Sequence, residues 1–90
     1  MRFECNARKA AANLRKHGVS FDEAASVFFD PPSATGDDPD HSQDERRFVT
    51  FGMSSSGRLL VVAHAQHDGT IRIITARQAT RAETKLYEEG

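Results

Sequence analysis

The sequence predicts an α+β fold: a small antiparallel β-sheet of three or more strands, packed with two N-terminal helices and one C-terminal helix. Two observations carry this. Up to residue 29 apolar residues recur at helical spacing, whereas from residue 46 short β-branched runs alternate with turn formers. Beyond residue 79 the helical period returns. Ninety residues, 38% of them apolar, provide for one domain with one modest core.

The first helix is predicted from Asn6, a good N-cap, to His17. Ala7, Ala10, Ala11 and Leu14 form its apolar stripe, and Gly18 stands where a left-handed residue ends a helix. Lys9, Asn13, Lys16 and His17 share a polar face. The second helix starts at Ser20, with Glu23 three residues on in the capping-box pattern. Phe21, Ala24, Ala25, Val27, Phe28 and Phe29 should supply core, until Asp30-Pro31-Pro32 ends the helix. Residues 33–45 read as a polar connection. Asp38, Asp40, Ser42 and Asp44 alternate like the start of an EF-hand loop. Gln43 and Val49 stand where that motif needs Gly and Glu, so calcium is not expected.

Strands are predicted at 46–52, 58–66 and 70–76, with Asp68-Gly69 as a two-residue hairpin turn. The middle run is apolar at nearly every position and should be the central strand. A two-residue turn pairs His67 with Thr70 and His64 with Ile73. Strict alternation then puts Arg58, His64 and Thr75 on one face and Arg72 on the other, unless a one-residue bulge exchanges them. The last helix, about 80–89, should turn Ala82, Leu86 and Tyr87 inward.

A net charge of −1 conceals segregation. Residues 1–17 hold five cations and one acid, residues 18–45 eight acids and no Lys or Arg, and residues 46–81 six Arg and one acid. The acidic second helix excludes a helix-turn-helix reader of DNA, because phosphates would repel it. RNA lying across a cleft of Arg and Lys remains open. Lone Cys5 can make no internal disulfide; it reads as a small buried residue in a reducing, cytoplasmic setting. No His or Cys pair has zinc spacing, no cofactor is expected, and no apolar run approaches a membrane span.

Lys16 and His17 have two readings. Cations in a helix's last turn gain roughly 0.3–1 kcal/mol from its dipole, which by itself accounts for them. Metal-free RNA cleavage also requires such groups: a base for the 2′-hydroxyl, cations for the phosphorane and an acid for the leaving oxygen. His17 and Glu45 are candidate proton carriers, and Lys9, Lys16 and the arginines candidate phosphate ligands.

The stretches KAAANLRKHGVSFDEAASVFFDP, DERRFVTFG, GRLLVVAH and IRIITARQATRAE resemble the BrnT toxins of bacterial type II toxin–antitoxin systems over about residues 3–88. The resemblance implies a RelE-like ribonuclease fold, RNA cleavage and growth arrest. It also implies neutralisation by a BrnA-type ribbon-helix-helix antitoxin, with which the toxin represses its operon. The positions it implies are Lys16, His17, Arg58, Arg72 and Arg77 as catalytic, with Lys9, Asn13, Glu45 and Arg46 binding substrate. Where the family commonly opens Phe-Glu-Trp-Asp, this chain has Phe3-Glu4-Cys5-Asn6. The rival expectation is an inactive module that only binds the antitoxin and co-represses.

Overall fold

The computed structural model describes residues 2–37 and 46–89. Its elements run β1 (Arg2–Glu4), α1 (Ala7–His17), α2 (Phe21–Ser26), a 3-10 turn (Val27–Phe29), β2 (Ala34–Asp37), β3 (Arg47–Met53), β4 (Leu59–His67), β5 (Thr70–Gln78) and α3 (Arg81–Glu89). Five strands form one sheet in the order β1-β5-β4-β3-β2, with β1 parallel to β5 and the other pairs antiparallel. The fold class is thus α+β as expected, with β4 at the centre. Strands β1 and β2 are additions to the sequence reading. The first is only three residues long, too short to read as a strand, and the second is exposed at every position, so it displays no alternating pattern.

Helix ends follow local chemistry. The Asn6 side chain accepts from the Arg8 and Lys9 amides, and Gly18, at φ 70°, donates its N–H to the Leu14 carbonyl. Ser20 accepts from the Glu23 amide, but the Glu23 carboxylate turns elsewhere, so only half of the predicted capping box forms.

The core lies between one sheet face and the first two helices. Val19, Phe21, Ala24 and Val27 meet Leu60, Val62, Ile71, Ile73 and Ala76 there. Gly52 lets the 3-10 turn approach: a Cβ on it would lie 2.6 Å from Val27 Cγ1 and 2.9 Å from Ser33 Cβ. Four expectations are corrected. Helix α1 buries Asn13, while of its apolar stripe only Ala10 packs against the core and Leu14 is 52% exposed. Phe29 is 69% exposed and rests against Phe3 at the rim. Leu86 is exposed, as is Ala82, because α3 buries no residue and is held by polar links. Cys5 is exposed as well.

The Asn13 carboxamide is the main link between α1 and the sheet. β1 borders β5 only along residues 70–72, leaving the later edge of β5 without a strand among the described residues. Asn13 stands in for one. Its amide nitrogen donates to the Ala76 and Val19 carbonyls, both at 2.9 Å, and its oxygen accepts the Ala76 N–H at 3.1 Å. Asn13→Ala would strand a buried amide and two carbonyls, so urea unfolding should show a loss of at least about 2 kcal/mol. Asn13→Asp should also destabilise, since a carboxylate cannot donate to either carbonyl.

Candidate active site

Between α1 and β5 lies a cleft of about 320 Å³, lined by Lys9, Asn13, Lys16, His17, Ile74 and Thr75 among others. The predicted polar face of α1 is therefore turned toward the sheet edge, with Asn13 anchoring it and His17 half-buried beside it. A second hollow, sharing Lys9 and Ile74, continues to Arg72, Glu4 and Cys5. Lys9, Lys16, His17 and Arg72 thus border one continuous groove.

A bulge shapes this groove. Pairing between β4 and β5 runs His67↔Thr70 through His64↔Ile73, then resumes at Ala63↔Thr75, so Ile74 is the extra residue. The bulge moves Thr75 onto the face of Arg72 and away from His64, the exchange that strict alternation excludes. Arg77, opposite Val61, follows on that same face.

Arg58 and Arg77 have other engagements. Arg58 donates through Nε and Nη2 to the Glu23 carboxylate and through Nη2 to the Gly18 carbonyl at 3.0 Å. Ser54 and Ser56 donate to the same carboxylate. Hydrogen bonding from Arg58, then from the serines, outweighs burial and holds Glu23 at about 2. This network pins the turn just after His17. Arg77 grips Glu83 with both terminal nitrogens, at 2.8 and 2.9 Å, holding that carboxylate at about 2 against the opposing effect of burial. Glu83 also accepts the Thr80 amide while Thr80 caps the Glu83 amide, a complete capping box. Arg46 lies at the surface, 3.6 Å from Asp37 and 5.5 Å from the centre of the Phe48 ring. Glu45 lies outside the described residues. Among those residues no cluster of three or more His, Cys, Asp or Glu could hold a metal, and no helix is long and apolar enough to cross a membrane.

The profile described as "Ribonuclease toxin, BrnT, of type II toxin-antitoxin system" matches residues 6–83. The chain belongs to the BrnT ribonuclease-toxin family. Its fold is similar to the crystal structure of the Brucella abortus ribonuclease toxin BrnT. The two superpose with a TM-score of 0.65 at 17% identity, over 90% of this chain and 99% of that one. A comparison with curated proteins gave no match.

Against the positions carried over from BrnT, the structure gathers Lys9, Asn13, Lys16 and His17 at one cleft and sets Arg72 in the adjoining hollow. Arg58 and Arg77 instead engage the carboxylates of α2 and α3. Sequence reasoning missed Glu83, whose signal was available in Thr80-x-x-Glu83. Thr75 takes the face that a one-residue bulge allowed, and the Ile-Ile-Thr run itself gives no sign that the bulge forms.

His64 is fully buried between the Phe28 and Phe48 rings. Its Nε2 lies 2.7 Å from Thr50 Oγ1, which lies 2.7 Å from Thr35 Oγ1, while Nδ1 has no partner. The tautomer protonated on Nε2 leaves no N–H unsatisfied. Burial pushes the ring from its ordinary 6.5 to about 4. Because the unfolded chain binds that proton first, the stability from this site is complete above pH 6.5 and disappears as pH falls toward 4. Urea unfolding should show the native protein losing on the order of 2 kcal/mol more than His64→Gln between pH 7 and 4.

Proposed function

We propose that this chain is a toxin endoribonuclease that cleaves RNA without a metal, by attack of the substrate's own 2′-hydroxyl. One observation carries the reading: the cations Lys9 and Lys16 and the His17 imidazole converge on the α1–β5 cleft, with Arg72 in the adjoining hollow.

The 2′-oxygen bonds to the adjacent phosphorus as its proton leaves, and the phosphorane places negative charge beside the ammonium groups. The bond to the 5′-oxygen then breaks as that oxygen takes a proton. His17 is the residue for moving these protons, since its imidazole borders the cleft and has one nitrogen to accept and one to donate. Lys9, Lys16 and Arg72 stabilise the charge. The products are a 2′,3′-cyclic phosphate and a 5′-hydroxyl. Arg58 acts through the Gly18 carbonyl, fixing the end of α1 that bears Lys16 and His17. Arg77, Arg46, Asn13 and Glu45 have weaker claims: two are ion-paired, one is spent on the β5 edge, and Glu45 lies outside the described residues.

The partner in this reading is a ribbon-helix-helix antitoxin of BrnA type, and the complex represses its own operon in the cytoplasm. Exposed Leu14, Phe29 and Leu86 supply apolar surface of the kind a partner covers. The second reading, an inactive module that only binds the antitoxin, draws on the neutralisation of Arg58 and Arg77 by Glu23 and Glu83.

Purified protein should cleave RNA in the presence of EDTA and leave cyclic phosphate termini. His17→Ala and Arg72→Ala should each slow cleavage by about 100-fold or more with an unchanged melting temperature. Full activity in both variants would remove the site assignment, and loss of activity with EDTA would remove the metal-free mechanism. Expression without the antitoxin should arrest growth; normal growth, with no cleavage in vitro, would establish the inactive module.

A further inference from the structure

The groove does not end at Arg72. A third hollow, of about 360 Å³, opens on the sheet face opposite the core and shares Glu4 and Arg72 with the second. Strand register builds it from two cross-strand rows. Arg2, Thr70 and His67 are partners in one, and Glu4, Arg72 and Ala65 in the next. Three strands wide, the hollow spans about 10 Å between β1 and β4. Arg2 and Glu4 stand two residues apart on β1, about 7 Å along one face.

Its charge is mixed, and this decides what it can hold. Arg2 and Arg72 are balanced by Glu4 and Asp68, and Asp68 lies 3.4 Å from the His67 ring. A phosphate gains little from such a balanced set. A nucleobase edge that presents acceptors beside donors is its complement. Neither Arg2 nor Glu4 makes a side-chain ion pair or hydrogen bond among the described residues, so both can face a ligand.

From this arrangement we infer that the hollow bordered by Arg2, Glu4 and His67 is a base-reading pocket that selects guanine in the RNA lying along the groove. Guanine offers O6 and N7 as adjacent acceptors, which a guanidinium engages with two donors. Its N1–H and N2–H are adjacent donors that suit the two oxygens of the Glu4 carboxylate. Adenine presents no such pair of donors, and neither pyrimidine has the O6/N7 pair. The His67 ring provides a surface on which an unstacked base can lie. This inference rests on the RNA-cleavage reading and adds a sequence preference to it.

The experiment maps cut sites in a mixed-sequence RNA, followed by rates on short RNAs carrying guanosine, inosine or adenosine at the flanking position the map selects. The native protein should show guanine at one fixed position beside the cut, and should cleave the guanosine RNA roughly tenfold or more faster than the adenosine RNA, the discrimination of one bidentate pair. Inosine, lacking the N2 amine, should fall between them. Glu4→Gln and Arg2→Ala should each bring the guanosine-to-adenosine ratio near one, with melting temperatures unchanged. Cleavage with no base preference, or a preference that survives both substitutions, overturns the pocket while leaving the ribonuclease reading intact. Absence of any RNA cleavage overturns both.

Discussion

The Asn13 carboxamide on the edge of β5 beyond β1 is the contact from which the arrangement of the site follows. A strand edge without a neighbour leaves backbone donors and acceptors to satisfy, and burying them unmet costs more than most side-chain contacts return. One amide meets the Ala76 N–H, the Ala76 carbonyl and the Val19 carbonyl together. It thereby fixes the roll of α1 about its axis. With that roll fixed, residues one turn either side of Asn13 face Ile74 and Thr75, and those residues are Lys9, Lys16 and His17.

Charge pairing sorts the remaining cations. Glu23 and Glu83 each receive an arginine in a two-pronged grip, and both carboxylates are held at about 2, so the pairs persist through the physiological range. Each pair also organises backbone, Arg58 at the turn following α1 and Glu83 at the first turn of α3. Lys9 and Lys16 enter no ion pair among the described residues, so their positive charge is presented to the groove rather than consumed within the fold. A near-neutral total charge is therefore compatible with a cationic groove, because neutralisation is concentrated elsewhere.

Elements with strong local signals were legible in the sequence. Asn6, Gly18 and Ser20 mark helix ends through their own side chains or lack of one, and Asp68-Gly69 sets the hairpin register as expected. The apolar 59–65 run identified the central strand. Features defined by their surroundings were not legible. Asn13 reads as a polar surface residue because nothing near it in sequence announces the exposed β5 edge 63 residues away. Leu14 and Leu86 have the right spacing for burial, but the first faces away from the sheet and the second lies on a helix held by polar contacts. Of the site, the α1 cluster followed from helical periodicity, whereas the joining of that cluster to Arg72 required the parallel strand β1 and the Ile74 bulge.

That bulge makes residue count in β5 as consequential as residue type. Ahead of it the pattern places Ile71 and Ile73 in the core; behind it Ala76 does the same, three positions on instead of two. If the strand paired without the bulge, with Ile74 kept in the ladder, every later side chain of the strand would change sides. The alanine under Asn13 would turn to the opposite face, and an arginine would be directed at the apolar interior. Removing Ile74 would therefore leave Thr75, Ala76 and Arg77 on their present faces, whereas one added residue paired into the ladder would reverse them.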